Sequence, residues 1–446
     1  MQTYDLVVVG GGSGGLALSK RASAIYGKKT LLIDKTVLGG TCVNSGCIPK
    51  KMLYNAAALF KEHRFLQAPE ERAEFNWGEF RMKRETYIQF LNNMYVRRNA
   101  TDRIDVVTGE ATVRGVSVKV NGVEYQGDTV VVATGSFPTL PPCPGSDLCT
   151  TSDDFFRFPS NPGKVVILGA GYIAIETAFV LAAFGSKVVL VARSSGVLRV
   201  FDELIRKNVK QALVEEGIEI FDQADVLSIE MNSGKKKVTF KKDGQNQEVV
   251  ADEVISAIGR AASTEHIKAP EVTTDKSGFV ETNSSFATQQ QDVYAIGDLA
   301  MKDHMLTPVA IFTGRRLADL LYGTGIADIK KLIKFVPTVI FSHPPAGSVG
   351  YTEKEARKLG DDVEVCVVAV SHPAAILSAN TKNQYKFIFS NKTNSLYGIH
   401  AVGAQCDEAM QGLGVLARRS TKFSTITSFF ACAGTNRTDF FRGLQE

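Results

Sequence analysis

The chain has 446 residues, a length that suits about two to four domains rather than one core. Hydrophobic residues make up 44% and charged residues 22%, which excludes disordered, fibrous and membrane-embedded compositions. Lys and Arg total 51 against 47 Asp and Glu, and a formal charge of +4 carries no nucleic-acid footprint, so no nucleic-acid partner is expected and basic residues are read locally.

Met1-Gln-Thr-Tyr-Asp5 runs straight into an apolar strand without a basic, long apolar or Arg-rich leader, and no apolar run reaches the ~18 residues of a membrane span. The expectation is a soluble, cytoplasmic protein with no membrane partner. Leu6-Val-Val-Val then meets Gly10-Gly-Gly-Ser-Gly-Gly15 and a helix. Gly10, Gly12 and Gly15 satisfy G-x-G-x-x-G: the first allows the turn, the second lets a pyrophosphate approach, the third lets helix pack on strand. The helix N-terminus aims its free N–H groups at the anion. Asp34 closes the next strand, Lys29 to Asp34, where an acid can accept a hydrogen bond from a ribose hydroxyl.

Cys42-Val-Asn-Ser-Gly-Cys47 comes next and opens a predicted helix with Ile48-Pro49-Lys50-Lys51. The chain's 7 cysteines are odd in number and sparse, unlike a secreted disulfide scaffold. Closing so short a loop removes little unfolded-state entropy, whereas a helix N-terminus and nearby lysines lower a thiol's pKa, so the pair reads as a redox loop. Zinc is the competing reading, but no second Cys or His pair stands at ligand spacing, and no metal is expected.

A charged helical stretch from 75 to 102 leads to a meander of short strands ending at Val132, and a Pro- and Gly-rich crossing from Pro138 to Gly163 reads as a domain boundary. Val165-Val-Ile-Leu-Gly169-Ala-Gly-Tyr-Ile-Ala174 then repeats strand, glycine turn and helix, with alanine in place of the third glycine. Its second strand, from Lys187, ends in Arg193, and Arg199 follows, where an NAD site would place an acid. Two guanidiniums suit a 2′-phosphate and favour NADPH; the alternative is two solvated surface arginines. Beyond Arg260 come Val293-Tyr-Ala-Ile-Gly-Asp298, a helical pattern from Thr307 to Leu321, and, from about Lys334, the alternation of an antiparallel sheet with helices. Two βαβ units and a third unit make the chain α/β.

Gly39-Gly-Thr-Cys-Val-Asn-Ser-Gly-Cys-Ile-Pro-Lys-Lys51, with both nucleotide turns, Ala133-Thr-Gly135, Ala257-Ile-Gly-Arg260 and Ile296-Gly-Asp298, resembles the FAD-dependent pyridine nucleotide disulfide oxidoreductases over nearly the whole chain. Phe75-Asn-Trp77, Thr307-Pro-Val-Ala310, Gly314-Arg-Arg-Leu317, the segment from Val336 to Pro345 and Cys406-Asp-Glu408 are most similar to its glutathione-reducing branch. The resemblance implies two Rossmann-like dinucleotide-binding domains plus a C-terminal α+β dimerisation domain: 1–138 and 263–333 for FAD and the central part, 139–262 for NADPH, and 334–446 for the interface of a homodimer.

It also implies roles. Cys47 would lie against the flavin and Cys42 would exchange with a small disulfide, glutathione disulfide first. Lys50 and Glu176 would pair near the flavin, and Tyr172 would gate the nicotinamide. Cofactor contacts would fall on Gly10, Gly12, Ser13, Gly14, Gly15, Asp34, Thr41, Cys42, Lys50, Ala111, Gly135, Ala170, Gly171, Ile173, Glu176, Arg193, Arg199, Gly259, Arg260, Asp298 and Thr307. Lys20, Tyr95 and Arg315 would hold the substrate, Lys20 in place of an arginine and therefore without its bidentate fork. Ala17 and Lys20 disfavour the related site for a cationic substrate.

One departure stands out. The family closes with His-Pro-Thr-x-x-Glu-Glu, and the chain's 6 histidines are His63, His266, His304, His343, His372 and His400, none later than 400. The family histidine falls on Ala433, or on Cys432 with one deletion near Ser420, and the acid falls on Thr438, with Asp439 after it. Divergence begins near Leu416 and runs to Glu446, through real change or an altered reading frame. A His–Glu pair protonates the leaving thiol and holds the attacking one as thiolate, a service typically worth about 10²- to 10⁴-fold in rate. The expectation is an NADPH-dependent reductase of glutathione disulfide or a similar small disulfide, its reductive half intact and its product release slowed or served by another acid. The alternatives are a flavoprotein turned sensor or partner-binding subunit, and a reductase of an acceptor that needs no proton. His343 and His400 are expected to be structural.

Overall fold

β-branched runs bounded by glycine become the central strands of two separate parallel sheets. The computed structural model describes residues 2–67, 74–269, 271–333, 335–360, 362–371, 382–419 and 422–423. The chain divides into two units, one built from Met1–Lys50, Gly78–Thr139 and Gly259–Ile333, the other from Lys51–Trp77, Leu140–Ile258 and Lys334–Glu446.

In the first unit the strand Gln2–Val9 pairs in parallel with Thr30–Asp34 on one side and Val123–Val132 on the other, with Leu6 opposite Thr30 and Thr129. Ile104–Thr108 and Val293–Ala295 extend the parallel part, and Ala111–Arg114 with Ser117–Val120 adds an antiparallel meander. Strands covered on both faces need no polar alternation, which is why Leu6, Val7, Val8, Leu31, Leu32 and Ile33 are all fully buried. The helices Ser13–Tyr26 and Thr307–Tyr322 cross closely: a Cβ on Gly314 would lie 2.4 Å from the Gly14 carbonyl oxygen. The ribbon of Ser136–Pro138 and Arg260–Ala262 lies at the points where the chain passes out of this unit and back.

In the second unit Lys164–Leu168 is flanked in parallel by Lys187–Ala192 and Glu253–Ser256, with Glu219–Asp222 and Thr150–Thr151 at the edges. The helix Tyr172–Ala183 is buried almost all round, which accounts for its apolar, unstriped sequence. Residues from Lys334 onward supply a separate five-stranded antiparallel sheet in the order Thr338–Ile340, Ala346–Gly350, Leu396–Val402, Lys382–Ser390, Val363–Ser371. The helix Cys406–Arg418 covers it, burying Cys406, Met410, Leu413, Gly414 and Ala417 at helical spacing. Phe75 stacks on Phe184 with ring centroids 3.9 Å apart, Phe60 and Trp77 meet Phe75 edge-on, and Trp77 Nε1 donates to Phe158 O at 2.9 Å. No helix of the described residues is long and apolar enough to cross a membrane.

The α/β reading with two dinucleotide-binding units and a C-terminal antiparallel unit is what the chain forms. The helix expected at the cysteine loop forms, and a further short one precedes it. Cys42 does not share a helix with Cys47: it sits in a short helix, Gly40–Asn44, and Cys47 starts another, Cys47–Leu66. Gly46 separates them at a place where a Cβ would come within 2.8 Å of the Thr41 carbonyl oxygen.

Candidate active site

Three helix N-termini meet at the thiol pair. Ser13 begins Ser13–Tyr26, Cys47 begins Cys47–Leu66 and Thr307 begins Thr307–Tyr322. Cys47 Sγ lies 3.3 Å from Thr307 Oγ1, and Cys42 is within hydrogen-bonding reach of Cys47, Thr307 and Ser13. Unpaired N–H groups and the positive ends of helix dipoles stabilise a thiolate at such a point. The two thiols divide the charge. Cys47 is pushed down to about 6 by the hydrogen bond from Cys42, helped by Thr307 and the charge of Lys50. Cys42 is pushed far up, because it donates that hydrogen bond and is half-buried. Of the two sulfurs, Cys47 is thus the better stabilised as thiolate and Cys42 holds its proton more tightly. Asn92 pins this loop, donating to Leu38 O at 2.7 Å and Asn44 Oδ1 at 2.9 Å.

The two glycine turns share a division of labour. Gly10 has φ +113° and a Cβ there would lie 2.3 Å from Ala133 O; Gly169 has φ +118° and would meet Ala257 O at 2.4 Å. These first glycines are demanded by the protein's own backbone. The middle glycines are not. A Cβ on Gly12 would find only Gly40 Cα, at 3.7 Å, and one on Gly171 would find nothing within 4 Å. Both begin helices from extended backbone, so open space stands before free N–H groups, as a pyrophosphate requires. The residues present thus fit two dinucleotides.

Asp34 ends its strand as expected, with Oδ2 accepting from Gly11 N at 2.6 Å and Oδ1 from Thr36 N at 2.8 Å, and a carboxylate retains room for a further donor. Arg260 and Asp298 are linked through Ser136: Arg260 Nε donates to Ser136 Oγ at 2.8 Å, and Ser136 Oγ donates to Asp298 Oδ2 at 2.7 Å. Burial pushes the Asp298 carboxyl up in spite of that bond. Thr41 stands beside Cys42 in its short helix, Lys50 lies one turn into the next helix, and Gly14 and Gly15 lie in the first turn of Ser13–Tyr26. Ala111 starts its strand, buried, while Gly135 and Gly259 take φ of +71° and +140° beside the ribbon.

In the second unit Ala170 and Gly171 form the turn, and Tyr172, Ile173 and Glu176 lie on the helix after it. Glu176 is buried and its Oε1 accepts from Phe341 N at 3.0 Å. Arg193 and Arg199 are both exposed, on the loop after Lys187–Ala192. Of the expected substrate residues, Arg315 lines a cleft of about 560 Å³ with Arg21, Phe312, Arg316 and Asp319. Lys20 and Tyr95 do not line it: Lys20 Nζ stands 3.9 Å from Asp102 Oδ2, and burial pushes the Tyr95 phenol up. His343 stacks on Tyr54 with centroids 4.8 Å apart. His400 is buried between Ser348 Oγ and Tyr351 O, at 2.9 and 3.0 Å. Cys432, Ala433, Thr438 and Asp439 lie outside the described residues, as does His372.

The family described as pyridine nucleotide-disulphide oxidoreductase matches residues 4–314, and its dimerisation domain matches residues 336–435. The chain belongs to this family. Among relatives, glutathione reductase of Yarrowia lipolytica is 35% identical over 93% of this chain and 93% of its own length. Glutathione reductase of Debaryomyces hansenii is 32% identical over 98% of this chain and 97% of its own. A solved structure, the copper(II) complex of a cysteine-to-serine mutant of the HOCl-induced flavoprotein disulfide reductase RclA from Escherichia coli, superposes with a TM-score of 0.90 at 25% identity, covering 100% of this chain and 99% of that one. Family membership makes the chain an oxidoreductase with a flavin and a pyridine nucleotide as its cofactor classes.

Local motifs pointed to the glycines and cysteines but not to Asn92, Ser136 or Thr307's neighbour Ser13 as a partner of Cys42. Asn92 and Ser136 carry no motif of their own, and they reach their partners only through the tertiary fold.

Proposed function

We propose that the chain is an NADPH-dependent flavoprotein that reduces glutathione disulfide, or a similar small acidic disulfide, through Cys42 and Cys47, as a homodimer. The observation that carries this reading is the thiol pair at three helix N-termini, with Cys47 Sγ 3.3 Å from Thr307 Oγ1 and the Cys47 thiol the more acidic of the two. Gly10 to Gly15, Asp34, Asp298 and Thr307 hold FAD, and Ala170, Gly171, Ile173, Arg193 and Arg199 hold NADPH. When bound, the flavin supplies the passage of two electrons from nicotinamide to the disulfide. Lys50 and Glu176 are assigned to tuning the flavin, and Tyr172 to the nicotinamide, in the same reading. The three-way division at 139–262 and 334–446 belongs to the same reading, as do Lys20, Tyr95 and Arg315 as substrate holders.

The chemistry on the protein's side is thiol–disulfide exchange. Cys42 gives up its proton and attacks one sulfur of the substrate, forming a mixed disulfide and expelling a thiolate that takes up a proton. Cys47, as thiolate, then attacks the Cys42 sulfur, expels the second thiolate and leaves the Cys42–Cys47 disulfide. In the family a C-terminal histidine serves as base for the attacking thiol and acid for the leaving one, and the sequence has no histidine at that place. The absence of any histidine after His400 favours a second reading in which the pair is reduced readily but turns over slowly. NADPH oxidation with and without glutathione disulfide decides between them. Multiple turnovers support the first reading, a single stoichiometric reduction supports the second, and no flavin uptake overturns both.

A further inference from the structure

The loop carrying Arg193 and Arg199 is tied down by groups outside it. Leu198 N donates to Ala170 O at 2.9 Å, joining the loop to the glycine turn, and Gly196 N donates to Asp222 Oδ2 at 2.9 Å. Just beyond Arg199, Asp202 is only 2% exposed. Its Oδ1 accepts from Leu204 N at 3.0 Å, capping the helix Glu203–Glu215, and from Lys386 Nζ at 2.8 Å. Its Oδ2 accepts from Glu353 N at 3.0 Å and lies 4.0 Å from His400 Nε2. Lys386 Nζ also meets Glu353 Oε2 at 2.8 Å.

This is more than a helix cap needs. A cap is one side-chain acceptor on a free N–H, and surface Asp residues serve well. Burying a carboxylate and an ammonium together carries a desolvation cost, and such pairs are best attested where they fix a register. Here the register they fix is that of the segment Arg199-Val-Phe-Asp202, which joins the glycine turn to the antiparallel sheet carrying Lys386 and His400.

We propose that Asp202 and Lys386 are positioning residues for nucleotide selectivity: their ion pair fixes the backbone on which Arg199 rides, and with it the preference for a nucleotide bearing a 2′-phosphate. This rests on the NADPH reading of Arg193 and Arg199.

The test uses the full-length, FAD-loaded protein and two probes, 2′,5′-ADP and 5′-ADP, measured by equilibrium binding. The double variant Asp202→Asn/Lys386→Met removes both charges and so leaves no lone buried ion. Asp202→Asn alone, which keeps an oxygen for the cap, serves if the double variant does not fold. Binding of 2′,5′-ADP is expected to weaken by about 10-fold, the scale of a positional coupling, with 5′-ADP unchanged. Equal loss for both probes, or no loss for either, overturns the proposal while leaving the NADPH reading intact. A wild-type protein that binds both probes equally, with Arg199→Ala without effect, overturns the NADPH reading and the proposal with it.

Discussion

At the residue scale, the acidity of Cys47 is built from few contacts and each can be removed. Thr307→Val keeps the shape and deletes the hydroxyl 3.3 Å from the sulfur. A thiol held at about 6 is alkylated at half its maximal rate near that pH, so the iodoacetamide profile of Thr307→Val is expected to move upward toward the ordinary thiol value. An unmoved profile would show that Thr307 does not tune Cys47. The glycine turns give a second contrast. Gly171→Val enters open space and should fold with unchanged thermal stability while losing nucleotide affinity. Gly169→Val, at φ +118° and 2.4 Å from Ala257 O, should lose stability as well. Thermal unfolding and NADP⁺ titration of the two variants separate these outcomes.

At the element scale, the ion pair of Asp202 and Lys386 joins a helix cap to a sheet. Burial would raise the Asp202 carboxyl, but Lys386 and the Glu353 N–H outweigh it and hold it below the ordinary 3.8. A carboxylate depressed on folding contributes stability that is present above its unfolded value and is lost as pH falls through the folded one. Lys386 is likewise held above 10.5 by its two acids despite burial, so its share is present below that pH and lost as pH rises beyond it. Lys386→Met alone leaves a buried carboxylate and is expected to cost about 3–5 kcal/mol in denaturant unfolding, whereas the double variant should cost less. Equal costs would mean that the pair is not coupled. The elements themselves were readable in the sequence because each strand, glycine turn and helix start is a contiguous pattern. The pair was not: Asp202 looks like any N-cap, and Lys386 like a charge on an edge strand, until the fold sets them 2.8 Å apart. The same reason hid the separate helix of Cys42, where packing around Gly46 and Thr41, not propensity, sets the break.

At the scale of the whole molecule, the second unit carries a set of groups that resist protonation together. Burial pushes His343 down to about 3, and burial also lowers His400 in spite of the Asp202 carboxylate. His343 takes a proton at about 6.5 when unfolded but only near 3 when folded, and His400 shifts in the same direction, so the unfolded chain binds more protons in the window between about 3 and 6.5, and stability falls as pH drops through it. Acid titration at fixed denaturant should therefore disrupt the second unit before the first, and His343→Phe should flatten that dependence. The aromatic cluster of Phe60, Phe75, Trp77 and Phe184 makes the experiment convenient. Trp77 is the chain's only indole, so its emission is an optical gauge wired to one half of the molecule, and a loss of that signal dates the opening of that half without any label.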